Sequence, residues 1–285
     1  MEDKRFRLVG CESPAPAKTP VHPARGKVRR VPYFPAAVLA VVVLGCLLCD
    51  LFIPYDPAYM DLYHANQPPC AAYWFGTDAM GRDIFSMIWY GGRLSLLIGV
   101  LSTLLSTAIA VFYGTASALS PAWLDGLLTR LLEIFLSIPG LLLMILIQAA
   151  LGKANVLSIS LVIGCTGWMS IAKVVRAEVL RLRESGYVVA ARCMGGSFVH
   201  NLWKHFLPNL FPAIMFMVVM NVRGAILSES TLSFLGIGLP LEIITWGSML
   251  SLSERSLLSG AWWTVLIPGL FLIVTLLSLT RCASR

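Results

Sequence analysis

Charge is what this 285-residue sequence has least of: 13% of its residues are charged and 57% are hydrophobic, against about a quarter and about a half in soluble domains. The shortage is also uneven, since residues 94–119 hold no charge at all. That pattern excludes an ordinary soluble domain and points to lipid. Several chemistry-bearing motifs are missing too. No Gly-x-x-x-x-Gly-Lys-Ser/Thr loop is present, so the chain is not itself an ATPase. Neither His-Glu-x-x-His nor Gly-x-Ser-x-Gly occurs, which disfavours a membrane protease or hydrolase. The four histidines, His22, His64, His200 and His205, do not stand at metal-ligand spacing. Cysteine is present seven times without regular spacing, and Cys46/Cys49 lie in an apolar run where cysteine acts as a small hydrophobe. No cleavable leader is expected, because the first apolar run follows a long basic, proline-bearing tail.

What is present in abundance is apolar sequence of membrane length. A helix needs about 20 apolar residues to cross the hydrocarbon layer, and six runs meet that test, near 36–53, 94–119, 134–151, 156–172, 206–227 and 262–279. The sequence therefore predicts an all-α polytopic membrane protein with six transmembrane helices. With the N-terminus inside, the inner segments hold 17 Lys/Arg and the outer loops hold four, Arg82, Arg93, Lys153 and Arg255. This positive-inside bias places both termini in the cytoplasm. The divisions are a basic tail (1–34), a first span (35–53), a long extracytoplasmic loop (54–92) and a core of five spans (93–281). Composition predicts disorder for the tail.

Within the core, the inner segment 183–206 carries the most information. Lys173, Arg176, Arg181 and Arg183 suggest that the fourth span continues past the membrane surface. Ser185-Gly186 breaks it, Tyr187 to Met194 form about two helical turns, and Gly195-Gly196 end them. So short a helix is not stable alone in water. Small residues at Ala190 and Ala191 permit close approach by a soluble partner. An interfacial amphipathic helix explains the same residues equally well.

The loop resembles the cytoplasmic signature of binding-protein-dependent ABC importer permeases. Ala190, Ala191, Gly195, His205, Leu207, Pro208 and Asn209 stand at that family's spacing, while Val189 replaces its glutamate. Three further stretches are similar to the second permease subunit of peptide/nickel importers: WFGTDAMGRD (74–83), GGRLSLLIG (91–99), and ESTLSFLGIG (229–238) followed by WGSML (246–250). The resemblance implies a type I permease fold with a coupling helix, involving Tyr187, Val189, Ala190, Ala191, Gly195, His205, Leu207 and Pro208. It also implies a homologous permease partner in a heterodimer, two ATP-binding subunits and an extracytoplasmic substrate-binding protein, all in a bacterial inner membrane. ATP and Mg would be used by the partner subunits, with no cofactor on this chain and no nucleic-acid partner. Peptides, nickel or metal chelates are the substrate classes so implied. Transport would proceed by rigid-body alternating access.

Polar residues at membrane depth usually face a cavity or a partner, which makes Glu229, Arg223 and Gln148 candidates for a translocation path. Positions at the outer interface account for Glu229 and Arg223 equally. In the outer loop, Gly76 and Gly81 allow tight turns, and Asp78 and Asp83 flank Arg82 to lock them. A stand-alone secondary transporter is the rival reading. It would show paired broken helices in two inverted halves, whereas Pro139-Gly140 is a lone interruption.

Overall fold

The computed structural model describes residues 33–185, 207–240, 242–258 and 260–283. Among them every regular element is helical, apart from one isolated antiparallel bridge between Thr77 and Asp83. The helices are α1 (Tyr33–Leu47), α2 (Ile84–Leu119), α3 (Ala122–Ser137), α4 (Gly140–Leu151), α5 (Val156–Arg183), α6 (Leu207–Phe234), α7 (Trp246–Leu258) and α8 (Trp263–Ala283). Four of them, α2, α5, α6 and α8, are long and apolar enough to cross a membrane, and α3 with α4 makes a fifth if the bent pair counts as one span. The apolar α1 has 15 residues, about 22 Å of helix against a hydrocarbon layer of about 30 Å. The sixth crossing read from the sequence rests on that helix.

α2 and α5 form the spine, and the sequence shows why. α2 buries Gly91, Gly92, Ser95, Gly99, Ser102, Thr103, Ser106, Ala110 and Gly114. Helices in lipid gain little from hydrophobic sorting and approach through such small residues. A Cβ at Gly114 would meet the Ala172 carbonyl oxygen of α5 at 2.7 Å. Asp83 caps α2 by accepting from Ser86 N at 2.9 Å, and Asn155 with Ser158 forms a reciprocal capping box on α5. Three apolar clusters then assemble. One joins α1, α2, α7 and α8 around Trp246, one joins α2, α5 and α6 around Val175, and one joins α2, α5 and α6 around Ile98 and Leu232.

Several boundaries depart from the sequence reading. α2 begins at Ile84 rather than near 94, so the connection after α1 closes at residue 83 and Arg93 lies inside a helix. The region 120–130, read as an inner loop, is largely helical from Ala122 onward. The run 134–151 is not one helix: α3 ends at Ser137, α4 begins at Gly140, and the two meet at 88°. Pro139 lacks an N–H and drives Ile138 into extended geometry (φ −82°, ψ 129°). α7 was not anticipated at all. Its sequence WGSMLSLSERSLL is amphipathic and too polar to register as a span.

Candidate functional site

Three polar constellations and one lone cation carry the chain's chemistry. The first closes the connection between α1 and α2. Thr77 Oγ1 accepts from Gln67 N at 2.8 Å and donates to the His64 carbonyl at 2.5 Å. Asp78 accepts from the backbone N–H groups of Met80 and Arg82, both at 2.9 Å, and from Arg82 Nε at 2.8 Å. Arg82 is 2% exposed, so this ion pair is desolvated on the cation's side. Of the two acids expected to hold Arg82, Asp78 does so, whereas Asp83 turns to α2 and caps it. Gly76 (φ 76°) and Gly81 (φ 74°) supply the left-handed turns. Trp263 Nε1 donates to the Thr77 carbonyl at 3.2 Å, which fastens the loop to α8. Within the loop the His64 ring, 2.6 Å from Asp61, holds that carboxyl below the usual aspartate range. Tyr63 and Trp74 remain exposed, while Phe75 packs on Phe85 and Phe271.

The second constellation is centred on Glu229 of α6, which is 0% exposed. Its carboxyl accepts from Thr245 Oγ1 at 2.8 Å, Ser233 Oγ at 3.0 Å, Ser95 Oγ at 3.3 Å and Ser230 Oγ at 3.5 Å. Ser95 Oγ also accepts from Trp246 N, and Trp246 Nε1 donates to the Ile88 carbonyl. One carboxyl thereby joins α2, α6 and the start of α7. Thr245 and Ser248 cap α7 reciprocally, with Ser248 N to Thr245 Oγ1 at 3.1 Å and Thr245 N to Ser248 Oγ at 2.8 Å. The spacing Thr-x-x-Ser was the sequence signal for this helix start.

The third lies where α2, α3 and α5 meet. Asp125 takes Arg176 Nε at 2.7 Å and Nη2 at 2.5 Å, and Ser117 Oγ at 2.6 Å. Tyr113 Oη donates to the Leu128 carbonyl at 2.8 Å. A cavity of about 280 Å³ opens beside them, lined in part by Thr129, Glu133, Lys173 and Arg176. α5 runs from this brace into the segment that carries the expected coupling residues. Tyr187, Val189, Ala190, Ala191, Gly195 and His205 lie outside the described residues, and Leu207 and Pro208 open α6.

Of the three path candidates, only Arg223 has a side chain that reaches the surface of the chain. Glu229 is enclosed as described, and Gln148 is 1% exposed, with Nε2 donating to the Gly152 carbonyl at 3.3 Å. The half-buried Arg223 has its Nε enclosed without an acceptor.

Residues 106–284 match the family model described as "Binding-protein-dependent transport system inner membrane component". The chain belongs to this family. It is 35% identical over 239 residues to the dipeptide transport system permease protein DppC of Bacillus subtilis (strain 168), covering 84% of this chain and 74% of that one. It is 33% identical over 239 residues to the oligopeptide transport system permease protein OppC of the same organism, covering 84% and 78%. Among solved structures, the MetNI methionine ABC transporter in inward-facing conformations aligns with a TM-score of 0.53 at 16% identity, over 70% of this chain and 97% of that one. That likeness shows a shared fold. The resemblance drawn from the motifs is therefore correct at family level. This permease also contains polar contacts that sequence reasoning did not single out, namely those of Ser95, Thr245, Trp246 and the Asp125–Arg176 pair. Thr245 and Glu229 are 16 residues apart, and the other partners stand 51 to 158 residues away in the chain, beyond the reach of any local pattern.

Proposed function

We propose that this chain is one of two homologous permease subunits of an ATP-driven importer that moves peptides across a bacterial inner membrane. The observation that carries the substrate class is the pair of dipeptide and oligopeptide permease relatives, each aligned over 84% of this chain. In this reading two ATP-binding subunits hydrolyse ATP beneath the membrane and an extracytoplasmic binding protein delivers the peptide from outside. Both termini face the cytoplasm, in keeping with the charge asymmetry. The coupling loop 183–206 docks the ATP-binding subunits, with shape at Ala190, Ala191 and Gly195 serving where Val189 replaces the family's glutamate. The Asp125–Arg176 brace supports that role, because it ties α3 to α5, the helix that leads in sequence to that segment. α1 supplies the sixth crossing, and Arg223, Glu229 and Gln148 belong to the translocation path and its walls.

Reconstitution tests this. The chain, its partner permease, both ATP-binding subunits and the binding protein are placed in proteoliposomes, and uptake of labelled di- and oligopeptides and of nickel is measured. ATP-dependent peptide uptake, lost in Gly195→Asp, is the expected result. Nickel uptake without peptide uptake overturns the substrate class, and uptake by the chain alone supports a secondary carrier instead.

A further inference from the structure

α6 presents a stripe of surface residues at helical spacing: Phe216, Arg223, Leu227 and Phe234, of which the three apolar members are 47%, 44% and 48% exposed. An arginine in that stripe is out of place in lipid. It stands 16 residues from Leu207 and 11 from Phe234, about 24 Å and 16 Å along the helix. A charged residue inside an apolar helix usually faces a cavity or a partner rather than lipid. Other arginines among the described residues do find acids: Arg82 is held by Asp78, Arg93 lies 2.7 Å from Asp50, and Arg176 is held by Asp125. Arg223 has no hydrogen bond or ion pair among the described residues, and the only acid on its helix, Glu229, is occupied by hydroxyls on another face.

A second feature stands at the same depth. Asn221 donates to the Gly167 carbonyl of α5 at 3.3 Å. α4 folds back along the first half of α5 through the turn at 152–155, which brings Gly140 level with Gly167. Residues 133–142 are all exposed, and the first turn of α4 has no side-chain cap. Backbone groups freed at a break cost several kcal/mol each in hydrocarbon and are tolerated only against protein or water. The room beside Arg223 is open as well. A Cβ on Gly224 would meet nothing within 4 Å, while a separate cavity of about 230 Å³ lies between α5 and α6 on the Asn221 face, lined in part by Met217, Met220 and Asn221 and not by Arg223. Methionine walls adapt to varied side chains.

We infer that Arg223 is a specificity-determining residue of the path, where its guanidinium receives the terminal carboxylate of a peptide in transit. The inference rests on the peptide reading above. A guanidinium forks onto a carboxylate through two parallel N–H donors, and a cation without a partner among the described residues is free for such transient capture. The test uses the complete reconstituted importer with trialanine and its C-terminal amide as paired substrates. Comparing variants under one binding protein cancels that protein's own preference. In Arg223→Gln the ratio of free-acid to amide uptake is expected to fall about tenfold, the loss of one charge-assisted contact of about 1.4 kcal/mol. Arg223→Lys is expected to retain most of the ratio. An unchanged ratio in Arg223→Gln overturns the inference alone. So does an Arg223→Gln chain that no longer assembles, because the arginine then pairs with a neighbouring subunit. A wild-type importer that moves neither peptide overturns the peptide reading itself.

Discussion

The outer connection with its Glu229 knot and the α3–α4 arm are made from one chain in opposite ways. Around Glu229 and Arg82 nearly every side chain is engaged: four hydroxyls on one carboxyl, an arginine at 2% exposure on one aspartate, and indoles of Trp246 and Trp263 on backbone carbonyls. Along the arm, α3 buries Leu132 and α4 buries Gln148, and Leu127, Ile134, Leu142 and Leu146 stand 57% or more exposed. The first region is finished within the subunit. The second is an apolar surface to be completed by lipid or by another subunit, and its broken backbone requires part of that completion to be polar. Side-chain engagement is concentrated in the first region and exposed apolar surface in the second.

The most damaging way to break this comparison is at Gly81. Its φ of +74° disfavours any L side chain, and a Cβ there would overlap the Asp61 carbonyl. Gly81→Ala is expected to cost about 3 kcal/mol or more, seen as a large fall in Tm of the purified complex. Leu142→Ala, on the exposed arm, should move the subunit's stability by less than about 0.5 kcal/mol. Equal losses at the two sites would erase the distinction. Next in size is Glu229→Ala, which leaves buried hydroxyls without their acceptor and should cost about 2 kcal/mol. Glu229→Gln keeps one oxygen acceptor and should cost about half of that. A neutral Glu229→Ala would mean that the hydroxyl cluster is not structural.

The same contrast explains what could be read from the sequence. Spans were legible because lipid demands long uninterrupted apolar runs, and 156–172 duly continues as a helix to Arg183. The Arg82 lock was legible because its partner is four residues away. The end of the 54–92 loop was misplaced because Gly91-Gly92 lie inside α2, where paired glycines serve as a contact surface. A Cβ at Gly92 would collide with Trp246 Cζ2 at 2.9 Å. The Glu229 partners were illegible because Ser95 lies 134 residues away and Thr245 belongs to a helix too polar to look membranous. At Ile138–Pro139 the proline was seen, but hydropathy cannot report an 88° bend.

The smallest expected effect sharpens the comparison furthest, because it sets a second buried polar side chain against Glu229. Gln148 is 1% exposed, yet its amide makes one bond, Nε2 to the Gly152 carbonyl at 3.3 Å, and its buried Oε1 has no partner. Glu229, equally buried, has four donors. A half-satisfied buried amide destabilises relative to an apolar group of the same shape, since the unmet acceptor keeps its desolvation penalty. Gln148→Met replaces it with a side chain of similar volume and should leave Tm unchanged or raise it, by no more than about 1 kcal/mol equivalent. A clear fall in Tm would show that the arm is as tightly built as the knot. Unchanged Tm with lost peptide uptake would show that the Oε1 acceptor serves the path, and that the arm carries transport chemistry at the expense of its own packing.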